Sequence, residues 1–99
     1  MENSNNEQYV YLLVVRTLGK DKNTLTYDVT PFNSLDAVND AVLDSITNMA
    51  KANRGEINYI SYMPHDNIYD YESSNTPCGR IVSKSNVEII YKVLIRNIR

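Results

Sequence analysis

The chain has 99 residues, 42% of them hydrophobic, and a formal net charge of −2. That length fits one domain with a core that needs no metal or disulfide staple. No apolar run approaches the roughly 18 residues of a bilayer helix, and the composition is neither that of a disordered chain nor the basic footprint of a general nucleic-acid binder.

A single cysteine, Cys78, excludes an intramolecular disulfide. Together with a polar N-terminus that has no signal-peptide core, it fits a reducing, cytoplasmic setting. Charge is uneven: residues 1–50 carry three Lys/Arg against seven Asp/Glu, and residues 51–99 carry seven against five. Residues 1–8 read as a disordered tail and 9–99 as a single α+β domain.

Tyr9 to Leu18 predicts a strand with apolar residues on both faces, the pattern of a strand covered on both sides. Gly19 to Asn23 is rich in turn formers and predicts a hairpin. Thr24 to Thr30 alternates, with Leu25, Tyr27 and Val29 expected to face inward and the threonines and Asp28 to face water; this strand is expected at a sheet edge.

The clearest element is a helix between Phe32 and Gly55. Asn33 and Ser34 are N-cap residues, Asp36 suits the positive end of the dipole, and Lys51 and Arg54 suit the other end. Leu35, Val38, Ala41, Val42, Ile46 and Met49 recur at steps of three and four and make one apolar stripe. Gly55 supplies a left-handed stop. The outer face carries Asp36, Asp40 and Asp44 at i, i+4 and i+8. Such like-charge spacing destabilises an isolated helix by about 0.2–0.5 kcal/mol per pair. It reads as a solvated face or as an acidic ridge for a basic partner.

Glu56 to Met63 predicts a third strand, ended by Pro64. His65 to Arg80 is a polar loop long enough to suggest function. Val87 to Arg96 fits a strand or a helix; its β-branched residues favour the strand. The expected fold is α+β, an antiparallel sheet of about four strands in ββαββ order with one helix on one face. One helix leaves the other face uncovered, so that face is expected to receive a second copy, a partner or a ligand.

Three functional readings follow. The first is a non-enzymatic protein-binding module acting by stoichiometric contact, in the manner of small inhibitors, immunity proteins or phage accessory proteins. Its contact residues are Tyr69 and Tyr71 in the loop and Asp36, Asp40 and Asp44 on the helix, and its expected state is a homodimer through the uncovered face. The second is a small-ligand or nucleotide binder with a pocket at a dimer interface. Tyr11, Tyr27, Tyr59 and Tyr91, at odd positions of their strands, would line it, and Arg80 or Arg96 would meet phosphates. The third is an enzyme with its site in the 65–80 loop, where His65 and Cys78 would form a thiolate–imidazole pair. Neither residue has a surrounding signature, and His65, Asp66, Asp70, Glu72 and Cys78 lack any ligand spacing that aligns a metal. No glycine-rich phosphate loop is present, and no cofactor or metal is expected.

Overall fold

The computed structural model describes residues 9–64 and 77–97. They form five strands and one helix: β1 (Tyr9–Leu18), β2 (Thr24–Phe32), α1 (Leu35–Ala52), β3 (Ile57–Tyr62), β4 (Gly79–Ser83) and β5 (Glu88–Asn97). The sheet order is β2-β1-β5-β4-β3, and every neighbouring pair is antiparallel. The order is therefore ββαβββ, with five strands in place of about four. The added strand is β4: Ile81 and Val82 read in the sequence as the start of a strand, but five residues beginning on glycine are too short for alternation to register, and the expected order left it out. The 87–96 segment is a strand, as its β-branched content favours.

The helix begins where its cap predicts. Ser34 is the N-cap, and its Oγ accepts from Ala37 N at 3.0 Å. It ends at Asn53, whose backbone N and side-chain Nδ2 both donate to Met49 O, so the left-handed Gly55 (φ 88°) lies in the following turn. Val38, Val42 and Ile46 bury the centre of the stripe against Leu13, Ile81, Cys78, Tyr91 and Val93 of the sheet. Phe32, Leu35, Met49, Ile57 and Ile89 close its margins. This is one apolar layer between helix and sheet.

Two hairpin turns sit at one end of the sheet. In the β1–β2 turn, Gly19 N donates to Asn23 O and Lys22 N to Gly19 O; in the β4–β5 turn, Ser83 N donates to Val87 O and Asn86 N to Ser83 O. The fourth residue of each is left-handed, Lys22 at φ 70° and Asn86 at φ 67°. Both are three-residue hairpin loops that require one such residue. Asparagine takes that conformation readily, whereas lysine does so against its preference.

The alternation expected in β2 is present, but its destination differs. The register sets Phe32 against Tyr11 and Tyr27 against Arg16, so Thr26, Asp28 and Thr30 lie on the helix side and Tyr27 and Val29 on the far side. Leu25, Tyr27 and Val29 remain 61%, 59% and 46% exposed. The apolar row of β2 is turned away from the helix, onto the side of the sheet that no described element covers, while Thr26, Asp28 and Thr30 take the helix side.

Candidate interaction surface

The face of the sheet opposite the helix is covered by no described element. Pairing of β1 with β5 sets Leu18 against Glu88, Arg16 against Ile90, Val14 against Lys92, Leu12 against Leu94 and Val10 against Arg96 on this face. β4 adds Arg80 and Val82, β3 adds Tyr59 and Ser61, and β2 adds Tyr27 and Val29. The first strand is thus apolar on both sides with only one side under the helix. Val14 and Leu18 are nonetheless buried. Val14 shares a depression with Arg16, Tyr27, Ile90, Lys92 and Leu94, side chains long enough to shield it from the flank, and long Arg and Lys stems are suited to that because their charges stay in water.

Among the described strand residues, this face carries Arg16, Arg80, Lys92 and Arg96 against one carboxylate, Glu88. Val14, Arg16, Tyr27, Ile90, Lys92 and Leu94 line a depression of about 200 Å³. Its floor is aliphatic, one wall is a tyrosine ring, and two cations stand at its margin. Arg16 Nη2 also reaches Thr24 Oγ1 at 3.4 Å, which holds the guanidinium over the β1–β2 hairpin.

Glu88 is the buried charged residue of the described structure, 9% exposed. Lys22 Nζ from the first turn donates to its Oε1 at 2.9 Å. Arg80 Nε lies 3.2 Å from Oε2, at an angle that makes the contact ionic and not a directed hydrogen bond. The Lys22 hydrogen bond holds the Glu88 carboxyl below its usual range, against the opposing effect of burial, with the charges of Lys22 and Arg80 adding to the lowering. The left-handed Lys22 therefore ties the first turn across the end of the sheet to β5.

The acidic ridge lies on the opposite side of the molecule. Asp36, Asp40 and Asp44 are all exposed on the outer face of α1. The fold separates charge into an acidic helical layer and a basic sheet face, a polarity that the net charge of −2 conceals.

The register distributes the tyrosines differently from their shared odd parity. Tyr11 and Tyr91 lie on the helix side, and Tyr91 is fully buried with its hydroxyl 2.7 Å from Ser45 Oγ. Tyr27 and Tyr59 lie on the open face but on the two opposite edge strands. These four do not line one pocket within a chain. Arg80 is engaged with Glu88, and Arg96 donates to Ile95 O. Tyr69, Tyr71 and His65 lie outside the described residues. Cys78 is buried in the core, its Sγ directed at Tyr91 O at 3.4 Å, so its thiol is not presented to a substrate. Among the described residues, no group of three or more His, Cys, Asp or Glu is placed to hold a metal, and no helix is long and apolar enough to cross a membrane.

A second cavity, of about 410 Å³, opens at the C-terminal end of α1. Met49, Ile57, Ile81, Val87 and Ile89 line it with Thr17, Asn53, Glu56, Ser83 and Ser85 at the rim. Ser83 Oγ is already bonded to Ser85 Oγ and Val87 N, and the Asn53 amide to Met49 O.

The basic character of the open face was present in the sequence. Arg16 shares its parity with Val10, Leu12 and Val14, and Lys92 and Arg96 share theirs with Ile90 and Leu94. Reading both strands at once, with one known side under the helix, exposes the pattern. The chain matches no protein family, no curated protein and no solved structure.

Proposed function

We propose that this protein is a non-enzymatic binding module that engages a partner protein by stoichiometric contact through its open sheet face, and that the partner presents acidic groups among apolar ones. The observation that carries the reading is the placement of Arg16 and Lys92 beside exposed Tyr27 and Val29 over an aliphatic floor. Apolar area of this kind supplies affinity, and the surrounding cations select the sign of the partner and speed its approach. A protein fits this face better than a nucleic acid, because its exposed rings sit at opposite edges and its centre is aliphatic, whereas strand-binding sheets place aromatic rings where bases stack. Two copies stacked open face to open face would oppose cations to cations, which disfavours that form of homodimer.

The test is site-resolved photocrosslinking in the cells that encode the protein, with a benzophenone side chain at Val29 or at Asp44. An adduct from Val29 that weakens at high salt and disappears with Lys92→Glu supports the reading. Adducts from Asp44 alone overturn it in favour of a basic partner on the acidic ridge. Crosslinks from Val29 to nucleic acid, with the same dependence on Lys92, replace the protein by a single strand.

The 410 Å³ cavity favours a second reading, a small and largely apolar ligand, since its size falls within the range of ligand pockets. A ligand that raises the melting temperature of the wild type and not of Ile81→Trp would establish it.

A further inference from the structure

We infer that two copies of this chain join edge to edge through β2, as an antiparallel pair centred on Tyr27. The two edges of the sheet are unlike. β3 has six residues and is interrupted by an irregularity between Ile57 and Tyr59, a device that protects an edge from pairing. β2 has nine residues and pairs with β1 without a shift from Thr26 to Phe32, its irregularity lying at the hairpin end. Its residues up to Pro31 are exposed, and it carries no lysine or arginine. Asp28 is its one charge, and the usual edge guards of lysine and bulge are missing from its centre.

The sequence of β2 is self-complementary about one position. With the twofold axis at Tyr27, Tyr27 faces the Tyr27 of the second copy, Thr26 faces Asp28, Leu25 faces Val29, and Thr24 faces Thr30. The apolar pairs then fall together on the open face, and both threonine–aspartate pairs fall on the helix side, where a hydroxyl can donate to a carboxylate. An axis at Asp28 would instead oppose the two carboxylates. Pro31, which has no N–H to give a new ladder, lies just beyond the Thr24–Thr30 pairing. The second copy is the favoured occupant because it supplies this matched register, and because edge pairing does not bring the cations of the two open faces together. A single strand pair buries less than a standard interface, so the dimer is expected in the micromolar range.

The inference is independent of the partner proposed above, and its test uses residues away from the open face. Sedimentation equilibrium of the full chain should show a reversible dimer. Thr26→Asp places two like-charged pairs across the axis and should weaken dimerisation roughly tenfold; Thr26→Lys creates two opposite pairs and should tighten it by a similar factor. The exchange Thr26→Asp with Asp28→Thr should restore wild-type affinity. Circular dichroism checks that each variant is folded. A wild-type monomer throughout the concentration range overturns the inference, and so does a dimer that ignores the charges at Thr26. A Val29 adduct to the second copy would not depend on Lys92, which lies on β5 away from this edge, so the Lys92 dependence keeps the two readings distinguishable.

Discussion

The Tyr91 hydroxyl lies 2.7 Å from Ser45 Oγ and joins the centre of the sheet to the middle of the helix. The two ends of this hydrogen bond are not equivalent, since Tyr91 is fully buried and Ser45 is half-buried. Ser45→Ala strands a buried phenol and should cost about 1–3 kcal/mol; Tyr91→Phe leaves a hydroxyl that reaches water and should cost about 1 kcal/mol or less. Urea unfolding of both variants checks the order. Burial raises the Tyr91 hydroxyl above its ordinary value of 10.0, with the Ser45 bond opposing, and burial raises Tyr62 as well. A raised phenol contributes stability below the unfolded value that is lost as pH rises through the folded one, so the fold should weaken above about pH 10.

Glu88 sets the acid limb. Its folded carboxyl is lowered, so its contribution is present above the unfolded value and lost as pH falls through the folded one. The melting temperature should decline below about pH 4.5, and Glu88→Gln should flatten that decline while lowering stability at neutral pH. Lys22→Gly should have mixed effects at neutral pH, because it relieves the left-handed backbone and removes a partner of Glu88. Asn86→Gly, in the matching turn, lacks that second effect and should be neutral or slightly stabilising.

Gly79 leaves no room for a side chain beneath Ile46 of the helix. A Cβ there would lie 2.8 Å from Ile46 Cδ1 and 3.4 Å from Tyr91 Cβ. Gly79→Ala should cost about 1–3 kcal/mol by overpacking. Ile46→Val removes the clashing methyl and by itself should cost about 0.5–1.5 kcal/mol. The double variant should be more stable than the sum of the two, and a thermodynamic cycle measures the difference.

Cys78 serves as an internal reporter. Buried among core residues, it should resist a thiol reagent in the native state and react at a rate that tracks opening of the fold. Fast labelling under native conditions would show that the start of β4, next to Cys78, opens independently of the rest of the fold.

The helix was legible because its signals are local: a cap, a dipole-matched first turn and a stripe at helical period all fall within one stretch of chain. β1, β2 and β3 were legible for the same reason, whereas β5 fitted strand and helix periods alike and only its β-branched content favoured the strand. Which side of each strand meets the helix was not, because that depends on register between segments far apart in sequence. Tyr27 and Tyr91 share parity and lie on opposite faces, since Tyr27 pairs with Arg16 while Tyr91 pairs with Val15. The same dependence hid the open face, whose cations come from β1, β4 and β5. Of the acidic ridge, by contrast, all three carboxylates were placed correctly on the exposed side of α1.

The pairing of β1 with β5 sets Tyr9 beside Asn97, so the first and last strands lie together at the middle of the sheet. The chain emerging from a ribosome therefore lacks its central ladder until β5 is made, and this long-range pairing should make folding slow for a domain of this size. Any segment attached at either end leaves the sheet from the same side. Joining the two ends by a short linker and reopening the chain at the Ser83–Val87 turn would turn this long-range pairing into a local hairpin. Such a circular permutant should fold faster than the parent while keeping the same sheet.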